Sequence, residues 1–510
     1  MRALPSPATL PQPRGTLFNP QHQDPPMERH RPLLSTFLLA PFLAFLLSAV
    51  PAPAIDEGRS LYIEGYAGEI SYAPGDELQL HLSSPSPEAS LSIARVGRER
   101  TVVHEVAKLE GVLEHSVPEN ASSLGCGWPV AFRMPIPDDW ESGYYEITMK
   151  VSDRGGTYTQ RNRRTAEGTC FFVLRPAAPG GKDRILLQLA THTYNAYNNW
   201  GGSSVYGYHG RAKLQGHRVS YYRPPTSQYP RWELPFVVWA ETNGYRLDFA
   251  TNLDLELRPE IVEPYKLLLS VGHDEYWSGP MRDTVEGFAA RGGNVAFLSG
   301  NTCCWQIRWE PETRSFLCWK QWFNQDELYS STEATIPGLT TLWSHHLVGR
   351  PENAMTGVGF LHGGYHKSHG QIMDGSGAFT VHRPDHWLFE GTGLAVGAEF
   401  GGKDSIVGYE CDGCEIEWRD GLPFPTHRDG TPRSFQILAT APAKWAPGDA
   451  WWYERWPGPE HSGHAVLGLH TTEAGGTVVT SGTTDWSHGL AGGDEHVVRI
   501  TKNILDRLGK

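Results

Sequence analysis

Four short apolar runs, residues 185–190, 246–250, 266–271 and 294–299, each give way abruptly to polar residues. Runs this short and this apolar read as strands buried on both faces of a sheet. Residues 281–290 carry a helical period and stop at Arg291-Gly292-Gly293, so a crossover helix fits between the last two runs and the strands run parallel. In open parallel sheets, ligands bind beyond the carboxyl ends of the strands. Those ends carry Thr193-Tyr194-Asn195, Thr251-Asn252, Gly272-His273-Asp274-Glu275-Tyr276-Trp277 and Gly300-Asn301-Thr302. A tyrosine, a histidine, a glutamate and an asparagine thus reach one sheet edge on separate strands.

Upstream the period changes. Residues 77–82, 91–96 and 145–151 alternate apolar and polar, and Ala73-Pro74-Gly75-Asp76 and Trp140-Glu141-Ser142-Gly143 supply turns. Several such strands within about a hundred residues predict an immunoglobulin-like β-sandwich over residues 55–174. A Pro/Gly linker at 175–182 then leads into an α/β domain with a mainly parallel sheet over 183–510. Near its end, Val497, Val498, Ile500, Ile504, Leu505 and Leu508 make the stripe of a helix packed on the sheet. The predicted fold is a β-sandwich plus α/β.

Residues 1–54 stand outside that fold. Arg29-His30-Arg31, the apolar stretch 33–50 and Ala52-Pro53-Ala54 follow the order of a signal peptide, with Met27 as the start and a mature chain from near Ile55. Export to the periplasm or outside follows, and the length of the apolar stretch also admits an uncleaved membrane anchor. A net charge of −13 argues against nucleic acid and anionic membranes as partners. Among seven cysteines, Cys126 and Cys170 suit a disulfide, and the odd count leaves one thiol free. Cys411 and Cys414 lack the second pair that a zinc site needs.

The segments Thr193-Tyr194-Asn195-Ala196-Tyr197-Asn198-Asn199-Trp200-Gly201-Gly202, Gly272-His273-Asp274-Glu275-Tyr276-Trp277, Ser299-Gly300-Asn301-Thr302 and Val407-Gly408-Tyr409-Glu410 carry a resemblance. Over roughly residues 60–510 the chain resembles the C-terminal module of N,N-dimethylformamidase large subunits. The resemblance implies a glutamine-amidotransferase-like α/β domain behind an immunoglobulin-like one. It also implies hydrolysis of a small amide at a mononuclear ferric iron (Fe) held by two tyrosines and one glutamate. Tyr194 and Glu275 match two ligands. The third follows a Ser-Gly turn in the family, and Ser142-Gly143-Tyr144-Tyr145 offers Tyr145 by spacing, with Tyr144 beside it. Glu410 matches the general base, His273 is placed to orient Glu275 or a bound water, and Asn301 to donate to an oxyanion. Phenolate and carboxylate oxygens suit trivalent iron better than zinc. The turn 272–276 holds neither Cys nor Ser where amidotransferases keep their nucleophile, so no covalent thiol route is expected.

Taken singly, each residue has a plainer reading. Tyr194 could pack, Glu275 could cap the helix that starts near Ser278, Asn301 could simply turn the chain, and Glu410 could be a surface carboxylate. Tyr197, Trp200, Trp277 and Trp305 read as pocket walls or core. Two other functions compete: an exported carbohydrate- or wall-binding protein, and a zinc hydrolase using His273 and Glu275 with His362, His366 or His369. The family's large subunit carries a further sandwich, and strands that begin near Leu61 right after the signal-like stretch lead us to expect none here. The expectation is therefore the broader one, a metal-dependent hydrolase of small non-peptide amides. The partners expected are that amide and either further copies of the chain or a separate small subunit.

Overall fold

The central apolar runs do become neighbouring strands of one sheet. The computed structural model describes residues 61–154, 163–181, 184–208, 210–330, 335–368, 371–372, 376–445 and 462–510. The large sheet runs Arg246–Thr251, Arg184–Leu189, Leu267–His273, Asn294–Gly300, Thr477–Thr480, Ser462–Thr471, Gln436–Lys444, Gly359–Tyr365, Glu410–Gly413. The first five strands are parallel. The remaining pairs are antiparallel, so the sheet is mixed rather than mainly parallel. The reason is local: a tight turn at Thr472–Gly476, closed by Thr472 N–H on the Gly476 carbonyl, joins 462–471 to 477–480. So short a connection can only join antiparallel strands.

Helix Gly279–Ala290 crosses between two parallel strands. Ser278 caps it by accepting from Met281 N, and Met281, Val285, Phe288 and Ala289 bury its apolar side with Trp277 and Phe297. Helix Glu495–Leu508 is capped by Asp494, which accepts from His496 N and Val497 N. It sets Val497, Ile500, Ile504, Leu505 and Leu508 into the same core as Leu187 and Leu269. Each such buried side chain contributes about 1.5–3 kcal/mol.

Before residue 175 lie a three-stranded sheet (Glu64–Ala67, Glu77–Ser83, Val130–Pro135) and a five-stranded one (Ser71–Tyr72, Arg163–Leu174, Gly143–Arg154, Glu88–Val96, Arg100–Glu110). Leu78, Leu80, Leu82, Ile93, Ile147 and Phe172 share one core. Alternation along Gly143–Arg154 turns Tyr145, Ile147 and Met149 into that core. The same alternation turns Tyr144 the other way, where it joins Phe171, Val173, Tyr229 and Leu187 in the core of the large sheet. Around Tyr144, Phe171 and Val173 the five-stranded sheet is therefore buried on both faces, and that places its two adjacent tyrosines in different surroundings.

Two expectations are corrected. Cys126 and Cys170 do not pair: all seven cysteines are buried free thiols. Cys126 packs with Tyr66 and Trp128, whereas Cys170 lies in the sheet-to-sheet core. Membrane anchoring is also corrected, because among the described residues no helix is long and apolar enough to cross a membrane. The signal-like stretch and residues 1–60 lie outside the described residues.

Glu352 gives the fold a testable pH dependence. It is fully buried, and no side chain hydrogen-bonds its carboxylate. Burial, reinforced by Asp412 and opposed by Arg282, raises it from 4.5 to about 8. The folded chain thus holds a proton that the unfolded chain releases. This stabilisation is full below about pH 4.5 and is lost as pH rises through about 8. The effect is on the order of a few kcal/mol at most. Glu352→Gln should shrink the drop in urea midpoint between pH 5 and 9; an unchanged drop would remove Glu352 as its source.

Candidate active site

The turn after Leu267–His273 is fixed from behind. Asp274 points away from the sheet edge and accepts from Gln188 Nε2, from Asn252 Nδ2 at 3.1 Å and from Ser270 Oγ at 2.8 Å. Glu275 N donates to Thr193 Oγ1 at 2.9 Å, tying the turn to helix Thr191–Tyr197. Gly272 makes the bend at φ +82°, and a Cβ there would meet the Trp232 Cβ at 2.3 Å. With Asp274 held behind, His273 and Glu275 face the opposite side.

Glu275 is the hub. Tyr197 OH donates to Oε2 at 3.0 Å and Trp305 Nε1 to Oε1 at 2.9 Å. Tyr206 OH lies 2.8 and 2.9 Å from the two carboxylate oxygens and 2.8 Å from Tyr197 OH. Gly201 and Gly202, both at positive φ, reverse the chain and help bring Tyr206 back over Tyr197, with ring centroids 4.5 Å apart. Behind Tyr206, Tyr276 OH donates to its hydroxyl at 2.7 Å, and Lys320 Nζ donates to Tyr276 OH at 3.0 Å. Burial alone would raise the Glu275 carboxyl, but His273, Lys320 and the Tyr206 hydroxyl outweigh it and hold it below its ordinary value.

Glu410 arrives from the antiparallel end of the sheet. Thr484 N–H donates to its carbonyl at 3.1 Å, and a Cβ on Gly300 would stand 2.7 Å from that same oxygen. Only glycine allows the two backbones to approach so closely. Asn301 follows in left-handed conformation, φ +51°. Its N–H and that of Thr302 donate to the two oxygens of Asp412, each at 3.0 Å, which locks the turn. The Asn301 side chain hydrogen-bonds Glu410. His273 Nε2 sits 2.8 Å from Glu410 Oε2 and 3.3 Å from Glu275 Oε2. Burial alone would lower the His273 imidazole, but the two carboxylates raise it to about 10. Burial raises the Glu410 carboxyl. His273 Nε2 and Glu410 Oε2 form a buried ion pair, and Asn301 Oδ1 has no hydrogen-bond partner. The Asn301 carbonyl oxygen is thus the buried polar atom of this cluster left open to a further donor.

The structure therefore brings His273, Glu275, Asn301 and Glu410 together. It does not bring Tyr194 or Tyr145 to them. Tyr194 OH donates to Glu233, a fully buried carboxylate on a different helix. Tyr145 OH donates to the Glu141 carbonyl at 2.6 Å, and its ring stacks between Trp140 and Phe172. Tyr144 stacks on Tyr229 at 4.1 Å. The hydroxyls that reach Glu275 belong to Tyr197, one helical turn beyond Tyr194, and to Tyr206. Tyr197 stood in the same Tyr-Asn-rich segment, whereas Tyr206 and Lys320 carried no local signal. His362 faces Glu415 and Asp429, and His366 packs against Gly377, so neither histidine of the zinc reading joins Glu275. His369 lies outside the described residues. Among the described residues no group of three or more His, Cys, Asp or Glu side chains could hold a metal ion; tyrosine oxygens are another matter.

A family model described as "N,N-dimethylformamidase beta subunit-like, C-terminal" matches residues 90–499. Two curated relatives are the N,N-dimethylformamidase beta subunits of Alcaligenes sp. and Paracoccus aminophilus. Each is 24% identical, over 445 and 449 residues respectively, covering 76% of this chain and 55% of the relative. The chain thus spans about half the length of the curated relatives it matches. With its match extending over most of the chain, including every residue of the cluster around Glu275, the protein belongs to the N,N-dimethylformamidase beta subunit-like family.

Proposed function

We propose that the chain is a hydrolase of small non-peptide amides, acting at a mononuclear ferric ion held by Glu275, Tyr197 and Tyr206. The observation that carries the reading is one carboxylate and two phenol oxygens within 3.0 Å of each other, beside the His273–Glu410 ion pair and the open carbonyl oxygen of Asn301. The donor set fits: all three are hard oxygen donors, two become anionic on losing a proton, and together they match a trivalent cation. An iron bound there would polarise the amide carbonyl and acidify water.

The chain's own residues do the rest. Glu410, buried and raised by burial, takes the proton from the attacking water and returns it to the amine nitrogen as the carbon–nitrogen bond breaks. His273 lies between the two carboxylates and keeps them apart in charge. Asn301, whose side chain engages Glu410, orients that carboxylate and has its amide within reach of an oxyanion. Trp232, Tyr197 and Tyr409 pack within about 6 Å of the His273 ring and limit the acyl group to a small one.

Metal analysis and assay of the full chain on small formamides and acetamides test the reading; iron-free protein inert on all of them would end it. The tyrosines offer a sharper contrast. Tyr197→Phe and Tyr206→Phe should each lower iron occupancy, whereas Tyr194→Phe should keep it, because the Tyr194 hydroxyl serves Glu233. Iron lost in Tyr194→Phe alone would restore the ligand set first expected.

Two finer assignments belong to the same reading. The sheets of residues 55–174 form an immunoglobulin-like sandwich ahead of a linker (175–182) and a glutamine-amidotransferase-like domain (183–510). Tyr145 supports this by donating to a carbonyl four residues upstream, as at an immunoglobulin tyrosine corner. The relatives' designation as beta subunits supports association with a separate second subunit.

A further inference from the structure

Lys320 is 2% exposed and adopts φ +54°, a left-handed conformation that a residue with a Cβ resists. A buried ammonium on a strained backbone works against folding twice over, and a glycine or an apolar side chain would relieve one cost or the other. The position is nevertheless well held: Lys320 N–H donates to the Thr340 carbonyl at 2.9 Å.

Its ammonium is caged by aromatic rings. Nζ lies 3.6 Å from the centroid of the Tyr206 ring, 4.4 Å from that of Trp305 and 5.6 Å from that of Tyr276. It donates to Tyr276 OH at 3.0 Å, Tyr276 OH donates to Tyr206 OH at 2.7 Å, and Tyr206 OH stands 2.8 Å from Glu275 Oε1. The cation is therefore linked to the Glu275–Tyr206 pair through space, against the ring face, and through a hydrogen-bonded chain. Trp305, which closes the cage, also donates its Nε1–H to Glu275.

We propose that Lys320 is the counter-cation of the Glu275–Tyr206 ligand pair, a positioning residue that sets how strongly the Tyr206 oxygen donates to the iron. The inference rests on the iron-site reading above. A cation against the face of a phenolate stabilises its charge more than that of the neutral phenol, because the attraction is to the added negative charge. The electrons of a phenolate so stabilised lie lower, and more energy is needed to move one to the metal. Lys320 touches neither substrate nor reacting atoms; it acts through Tyr206.

The test uses the full chain loaded with ferric iron. Lys320→Met keeps the length of the side chain and deletes the charge. It should weaken iron binding roughly 10- to 100-fold, the usual effect of losing a group that supports a ligand. It should also move the phenolate-to-iron absorption band to longer wavelength. Tyr276→Phe removes the hydrogen bond to Tyr206 while leaving the cation, and should move the band the same way by less. It carries the test should Lys320→Met fail to fold. A folded variant of either kind with wild-type iron affinity and an unmoved band overturns the proposal and leaves Lys320 a packing residue. Wild-type protein that takes up no iron and shows no band would instead remove the iron reading, and the inference with it.

Discussion

Glu275→Gln should leave the protein without iron and without the visible absorption of a ferric phenolate, at concentrations where the wild type is fully loaded. The amide preserves the shape of the side chain, and its one oxygen can still accept from either Tyr197 or Trp305, which donate to opposite oxygens of the carboxylate. It removes the only carboxylate in the proposed ligand set. Losing a group that merely supports a metal ligand costs about 10- to 100-fold in affinity. Losing an anionic ligand itself should therefore cost at least about 100-fold. A second consequence is independent of metal. Glu275 is among the charges that balance the buried Lys320, and its loss leaves that buried cation less compensated. The iron-free variant should therefore also melt below iron-free wild type. Dialysis against iron followed by metal analysis reads the first effect, and thermal unfolding in chelator reads the second. Full iron occupancy in the variant would take Glu275 out of the ligand set.

What the sequence could and could not disclose follows from the range of the interactions involved. The four central strands were legible because each is buried on both faces, so the run of apolar residues is itself the signal. His273, Glu275 and Asn301 were legible because they close those strands. Glu410 was found only through its resemblance to a known segment, since it sits on an antiparallel strand whose approach depends on Gly300 and Thr484. That the hydroxyls near Glu275 are those of Tyr197 and Tyr206 rather than Tyr194 and Tyr145 has a geometric reason. On a helix, Tyr194 and Tyr197 are one turn apart, and nothing in the local pattern tells which points along the sheet edge and which toward Glu233. Tyr145 lies away from Glu275 because a strand sends adjacent residues to opposite faces, and the face that holds Tyr145 is the closed core between two sheets. Lys320 could not be read at all. Its position depends on a loop more than forty residues beyond Glu275, folded back on three aromatic rings.

Glu410→Gln should separate chemistry from metal binding. Amide hydrolysis needs two proton movements: one off the attacking water, one onto a nitrogen that would otherwise leave as a poor anion. Glu410 is the candidate for both, because burial raises its carboxyl and brings its proton affinity closer to what each transfer needs. Its contacts are to His273 at 2.8 Å and to the Asn301 side chain, whereas the hydroxyls of Tyr197 and Tyr206 go to Glu275. The glutamine variant cannot accept the water's proton, yet it keeps the volume and leaves the three proposed ligands untouched. Iron content and the visible band should therefore stay at wild-type levels, while turnover of a small amide falls by about 10²–10⁴-fold. Asn301→Ala should fall in the same direction but by less, since it loosens Glu410 without deleting it. Iron loss in Glu410→Gln would make Glu410 a ligand. Undiminished turnover in an iron-replete variant would remove it from the reaction and shift the proton transfers to His273, the other titratable group in contact with both carboxylates.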